Sequence, residues 1–442
     1  MFSAFLNIFR VPELKSRVLF VLGILLVYRI GTHIPVPGVN IEALAVSFKS
    51  QNNGILGFLN LFSGNALKQA SIFALGVMPY ISMSIILQLL TAVIPTLEKL
   101  SKEGEMGRRK ITQYTRIGTV VLCLVQGTGT TYLFRNFGEN VVYHWGFGFQ
   151  IMTVIALTTG TIFIMWLGEQ ITEYGIGNGM SIIIFSGIVA ALPGQLDATR
   201  RMLSVDQLSV FSLIFFAVFT LLTIAFIVVL QQGARKIPVQ YANRVVGNQV
   251  FKGQSTQLPL KVDYSGVIAV IFASSILVFP STIAKYVQQV AAPDGRLYAF
   301  MDWIVGNFSP GDFIYYVLYS ALIVFFCYFY TAIAFNPTDL SENMKKYGGF
   351  IPGIRPGQPT AEFIDRTLTR ITIWGALAVC AIAVFPDLLV RQLHIPIYFG
   401  GTSLLIIVGV ALDTMKQIES HLLMRHYDGF MKKGRLKGRS AF

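Results

Sequence analysis

Ten stretches of about 20 residues run through this chain with almost no charge, and that pattern fixes the solvent in which it folds. They fall at residues 18–35, 70–94, 117–134, 148–168, 179–193, 208–230, 265–283, 313–335, 371–390 and 397–415. A helix of that length crosses the hydrocarbon layer, and within lipid only helices and closed barrels satisfy every backbone donor and acceptor. The chain is therefore expected to be an all-α polytopic membrane protein with ten transmembrane helices. Composition agrees, with 54% of the 442 residues hydrophobic and 13% charged, where a soluble domain carries about 25% charged residues. The fifth stretch is short for a straight crossing. It is retained because the charge distribution requires it.

Of the 35 Lys and Arg residues, 26 lie on the side of the N-terminus and eight on the other, with Arg29 inside the first stretch. By the positive-inside bias, both ends are expected in the cytoplasm, and topology explains most of the net charge of +13. Two segments on the basic side, 231–264 and 336–370, exceed what orientation requires. The second holds Pro352-Gly353-Ile354-Arg355-Pro356-Gly357, whose prolines and glycines fix the backbone around one cation. A docking role and a tight structural turn both fit this run.

Two further patterns bear on organisation. Gly54 to Ala66, GILGFLNLFSGNA, is apolar yet too short to cross. It reads as a re-entrant stopper buried in protein or as a helix lying on the outer surface. Gly76 to Ile86 echoes Gly266 to Ile276, with Gly, Val, Ile, Ser and Ile identical at matching positions. The echo places the second and seventh spans at equivalent places in two five-span halves of opposite direction, an inverted repeat. The expected division is 1–193, an external hinge loop at 194–207, a second half at 208–415 and a basic cytoplasmic tail at 416–442.

The chemistry absent from the sequence narrows function. No G-x-x-x-x-G-K-[ST] cradle occurs, none of the five histidines makes an H-E-x-x-H, and His421 and His426 lie in the basic tail. Cys123, Cys327 and Cys380 sit in apolar stretches and read as small hydrophobes. The ionisable residues near or within spans are Arg29, Glu169, Glu173 and Asp413, the last three near cytoplasmic ends. No catalytic residue, metal site or cofactor is expected. A secondary transporter with inverted repeats is the alternative, and it calls for a mid-depth polar site where this chain is aliphatic. An intramembrane enzyme calls for a nucleophile with its base, or for metal ligands, within spans. Val77 to Ile86 and Ile268 to Ile276 instead mix small residues with branched aliphatics, which suits either helix packing or a dewetted gate.

Leu75 to Leu89 (LGVMPYISMSIILQL) and Met165 to Gly187 (MWLGEQITEYGIGNGMSIIIFSG) resemble the two signature regions of the SecY family, central subunits of bacterial Sec translocons. Gly31 to Val39, Glu103 to Arg116, Gln254 to Lys261, Gly353 to Gly357 and Tyr398 to Leu405 extend the likeness in order along the chain. The resemblance implies a two-halved clamshell around a protein-conducting pore that also opens sideways into lipid. It places the pore ring at Val77, Ile81, Met180, Ile184, Ile271 and Ile406, where Val77 and Met180 depart from the family's usual isoleucine. It places the plug at about 54–66, including Gly54, Ile55, Leu56, Phe58, Leu59, Leu61 and Phe62. The lateral gate falls on helices two and three facing seven and eight, with Pro79, Ser84, Gln88, Ser274 and Ser275, and Gln88 as a candidate contact holding it shut. Docking of the motor ATPase SecA and of the ribosome falls on Arg235, Lys236, Arg244 and Arg355. Implied partners are SecE, SecG, an accessory insertase, signal peptides, unfolded preproteins and membrane lipid, with no sequence-specific nucleic-acid binding. The implied location is the bacterial cytoplasmic membrane, and the implied energy source is a partner.

Overall fold

The computed structural model describes residues 11–51, 55–138, 140–205, 209–241, 244–246, 249–251, 255–290, 295–308, 311–393 and 400–433. In chain order the helices are α1 (Pro12–Gly31), α2 (Ile41–Gln51), α3 (Ile55–Phe62), α4 (Met78–Val93), α5 (Pro95–Lys102), α6 (Glu105–Asn136), α7 (Phe147–Tyr174), α8 (Gly179–Ser204) and α9 (Val210–Gln232). Strands β1 (Ala234–Tyr241), β2 (Arg244–Val246), β3 (Gln249–Phe251) and β4 (Ser255–Lys261) follow. The remainder comprises α10 (Val267–Val290), α11 (Arg296–Asn307), α12 (Phe313–Ala334), α13 (Pro337–Lys346), β5 (Gly349–Phe350), α14 (Gln358–Gln392) and α15 (Gly401–Lys433). Proline stands in the first turn of α1, α4, α5, α13 and α14. There its missing N–H breaks no intrahelical bond and its fixed φ suits the helix.

Each of the ten predicted stretches holds a helix. Among the described residues, eight helices are long and apolar enough to cross a membrane, and α4 with α5, bent by 100°, counts as a ninth where the pair is taken as one broken span. The 20-residue α1 is about 30 Å long, enough to span.

The helices depart from the hydropathy windows in three places. The stretch 70–94 is helical only from Met78, because residues 63–77 form successive turns fastened to the end of α1. Ile72 donates its N–H to the Ile34 carbonyl and Val36 donates to Ala70. The segment expected as a hinge loop from 194 is helical to Ser204, continuing α8 through Pro193. Polar Gln195, Asp197 and Arg200 end the hydropathy signal while leaving helix propensity intact. Last, the large segment after α9 folds into strands, which period-3.6 reasoning about membrane spans does not reveal.

The chain divides into two compact units. The first comprises residues 1–193, 286–291 and 410–442. In it α6 packs along α7, α4 packs against α6, and α1 packs on α7. Residues Val36, Leu44, Phe48, Leu67, Phe134, Phe149 and Leu157 belong to one buried cluster. Arg116 on α6 grips Glu169 on α7 through two parallel hydrogen bonds, at 2.8 and 2.7 Å. The second unit comprises residues 194–285 and 292–409. There α14 packs against α9, α12 and α13, and β4, β1 and β5 form an antiparallel sheet in that order.

Candidate functional site

In the first unit, four of the expected pore-ring residues lie on two helices, each with a glycine close to the turn that follows the short helix α3. Val77 is the N-cap of α4, and its carbonyl accepts from the Ile81 N–H, one turn on. Met180 and Ile184 stand one turn apart near the start of α8. Val77, Ile81 and Ile184 are buried, while Met180 is half-buried with its thioether lying across Gly168 of α7.

The short helix ends against the backbone next to these residues. Gly64, with φ +66°, is so close to α8 that an added Cβ would lie 3.1 Å from the Gly187 Cα. Gly76, with φ +58°, would place a Cβ 3.2 Å from the Ser63 Cα. Two glycines therefore let the turn after α3 seat between Gly76, adjacent to Val77, and Gly187, one turn from Ile184. Phe62 and Asn60 are buried and Leu59 is half-buried against the unit's core. Ile55, Leu56, Gly57, Phe58 and Leu61 lie on α3, and Gly54 lies outside the described residues.

In the second unit, Ile271 on α10 is buried, and so is Ile406 on α15. A Cβ on Gly409 would collide with the Val267 side chain, so α10 and α15 meet one turn away from both isoleucines. The internal echo has a backbone counterpart: Gly266, directly before α10, takes a left-handed φ of +53°, as Gly76 does two residues before α4. The two copies thus begin the same way, and Ile81 and Ile271 occupy matching positions.

Of the residues expected at a side gate, Pro79 starts α4 and Ser84 and Gln88 lie along it. Gln88 Nε2 is 3.4 Å from Ser84 Oγ. On α10, Ser274 donates to the Ile271 carbonyl at 2.9 Å. Ser275 Oγ is buried with no hydrogen-bond partner among the described residues.

Arg235, Lys236 and Arg355 of the two large segments are carried on one packed core, and Arg244 lies on a separate two-stranded sheet. Ile237 and Val239 on β1 turn inward onto Leu260, Met344, Ile351, Ile364 and Leu368. Arg235 pairs in register with Leu260 and Lys236 with Pro259, and both cations are exposed. Arg244 begins β2, opposite Phe251. Arg355 is exposed on a loop held on both sides: Ile351 is buried, Ile354 packs on the same core, and Thr360 Oγ1 donates to the Arg355 carbonyl at 2.8 Å. Ser341 donates to the Gly357 carbonyl at 2.6 Å. Burial of Tyr264 at this core raises its phenol pKa, against a lowering by a backbone hydrogen bond to Lys261. Among the described residues, no three His, Cys, Asp or Glu side chains stand where they could share a metal ion.

These features match a known family in order and extent. The family model described as SecY matches residues 71–415. The chain belongs to the SecY family. The protein translocase subunits SecY of Vibrio cholerae and Escherichia coli K12 are each 48% identical to it, over 426 and 428 residues, covering 96% of this chain and 96% of each relative. A solved SecY structure, described as having a plug domain that stabilises the closed state and maintains a membrane seal, superposes with TM-score 0.62 at 16% identity, covering 91% of both chains. Sec61 from a canine ribosome–channel complex superposes with TM-score 0.59, also at 16% identity and 91% coverage of both. The fold is that of the family's channels, and the protein is a multi-pass membrane translocase subunit.

Sequence reasoning singled out the expected pore-ring residues, α3 and the Arg355 loop, but not the contacts that brace the short helix and the loop. Ser341, Thr360 and Tyr28 gave no signal, being ordinary residues whose partners are distant in sequence. Arg29 was visible as a charge in a span, without an indication of its partner.

Proposed function

We propose that this chain is the protein-conducting channel of a bacterial general secretory pathway. It passes unfolded preproteins across the cytoplasmic membrane and releases transmembrane segments sideways into lipid. The observation that carries this reading is the match to protein translocase subunits along nearly the whole chain. In this reading Val77, Ile81, Met180, Ile184, Ile271 and Ile406 form a collar of branched and flexible apolar side chains. Such a collar dewets when empty and so blocks ions without a fixed charge. It yields around side chains of any shape, which suits an unfolded passenger. The segment at α3 is the plug, and its seating beside Val77 and Ile184 supports that role.

Sorting at the side exit is then a partition between water and lipid. At a helix centre each Leu or Ile contributes about −0.3 to −0.6 kcal/mol, and each Lys or Asp costs about +2.5 to +3.5 kcal/mol. A run of about twenty apolar residues leaves for the bilayer, while an ordinary secreted segment stays in the channel. No recognition pocket for a particular side chain is required. Energy comes from outside: SecA or the ribosome docks on the platform of Arg235, Lys236, Arg244 and Arg355. SecE and SecG complete the membrane complex, and the 26-to-8 charge bias supports both termini in the cytoplasm. The test is reconstitution in vesicles with SecA, ATP and a labelled preprotein. Protease-protected preprotein that depends on this chain is expected. ATP-independent uptake of a small labelled solute, without preprotein transport, would overturn the reading.

A further inference from the structure

Arg29 lies two residues from the end of α1, in a stretch that the sequence assigns to the membrane. Cations at such depth are costly and pair with a carboxylate or with backbone carbonyls. Among the described residues no carboxylate pairs with Arg29. Its Nη1 donates instead to the Gly64 carbonyl at 3.1 Å. The adjacent Tyr28, 1% exposed, donates its hydroxyl to the Ser63 carbonyl at 3.3 Å. Ser63 and Gly64 directly follow Phe62, the last residue of α3. A helix C-terminus presents unpaired carbonyls and partial negative charge, which a guanidinium complements. Consecutive residues of α1 thus hold consecutive carbonyls at one end of α3.

Both arms of this contact are braced. Thr32 Oγ1 donates to the Arg29 carbonyl at 2.7 Å, tightening the last turn of α1. The Tyr28 ring stacks on Phe73 with centroids 5.9 Å apart and planes within 8°. Ser71 Oγ donates to the Gly31 carbonyl at 2.8 Å. On the other arm, Asn60 of α3 donates to Asn65 Oδ1 at 2.8 Å and accepts from the Lys68 N–H at 3.0 Å. The receiving carbonyls are therefore fixed in place, and so is the side that grips them.

We propose that Arg29 is a positioning residue for α3: with Tyr28 it latches the end of the short helix in the sealed channel. Release of the two carbonyls is then a required step when the passage is cleared. The proposal rests on reading α3 as the plug. One charge-assisted hydrogen bond lost from the sealed state corresponds to about a tenfold shift toward the displaced state.

The experiment measures spontaneous open events of the full channel complex in planar bilayers, without motor or substrate. Arg29→Met is expected to raise the open frequency about tenfold, Tyr28→Phe severalfold, and Arg29→Lys is expected to restore most of the seal. Deleting residues 55–62 gives the reference leak, and adding Arg29→Met to that deletion should change it no further. If the deletion itself does not leak, the plug reading fails. If it leaks while Arg29→Met and Tyr28→Phe both stay sealed, or if the two changes add, the latch is wrong and the plug reading stands. Should Arg29→Met not assemble, Tyr28→Phe, which removes one oxygen atom, decides by the same criteria.

Discussion

Replacing Gly353 by alanine tests whether the Arg355 loop works by presenting a fixed cation. Gly353 has φ +83°, and no atom lies within 4 Å of an added Cβ. The substitution therefore collides with nothing, and its whole cost is the left-handed backbone, about 1–2 kcal/mol for an L-residue. Ile351, Ile354 and Thr360 anchor the loop to the platform core independently of that side chain, so channel abundance and thermal stability should hold. The strain shifts the loop away from the presented conformation by roughly 5- to 30-fold, which sets the upper limit of the loss in apparent affinity for SecA. The assay is SecA binding to the reconstituted complex, followed by export of a labelled preprotein at limiting SecA. Gly353→Asn should retain most of the affinity, because asparagine tolerates positive φ. Arg355→Glu, which leaves the backbone alone and reverses the charge, should slow export at least as much as Gly353→Ala. Unchanged affinity in both Gly353→Ala and Arg355→Glu would reduce the loop to a rigid turn. Equal damage from Asn and Ala would show that backbone conformation is not what matters.

Two other substitutions probe the gate and the packing beneath it. Gln88→Leu should raise the frequency of sideways opening and speed release of a marginally hydrophobic segment into lipid, read by crosslinking to labelled lipid. Unchanged release would return Gln88 to ordinary helix packing. Gly160→Val should lower the thermal midpoint of the purified complex by several degrees, because a Cβ at residue 160 collides with the Ile72 carbonyl and overpacking costs roughly 1–3 kcal/mol. A wild-type midpoint would mean that α7 and the turns before α4 separate readily.

Long apolar stretches were legible because lipid leaves helices as the solution for a spanning backbone of this length. The helix at each predicted place follows from that constraint alone. Legibility ended where the chain leaves lipid or where tertiary contacts outweigh hydropathy. Residues 70–77 are as apolar as a span, yet Ser71 bonds to Gly31 at the end of α1, and Ile72 and Ala70 bond to Ile34 and Val36 just after it, which hold the segment as turns. Residues 194–204 are polar enough to resemble a loop, yet the helix continues, helped by the Thr199 hydroxyl bond to Gln195 and an Arg201–Asp197 pair. The sheet was hidden for another reason: Ile237 and Val239 alternate correctly, but their partners Met344 and Ile364 lie about a hundred residues away. Of the candidate site, the residues proposed for the apolar collar and the short helix could be named from sequence and resemblance. The hydrogen bonds that seat them depend on approaches between distant segments, such as Gly64 to Gly187 and Arg29 to Gly64, and no local pattern encodes those.

The central claim is that a collar of aliphatic side chains, with the plug seated beside it, seals the resting passage. The most direct measurement is ion conductance of resting channels carrying Ile81→Gly, Ile184→Gly and Ile271→Gly together, with assembly verified by purification of the intact complex. A steady ion leak in the absence of motor and preprotein is expected, since each change removes a buried branched side chain assigned to the proposed dewetted collar. An assembled triple variant as tight as the unaltered channel would contradict the account.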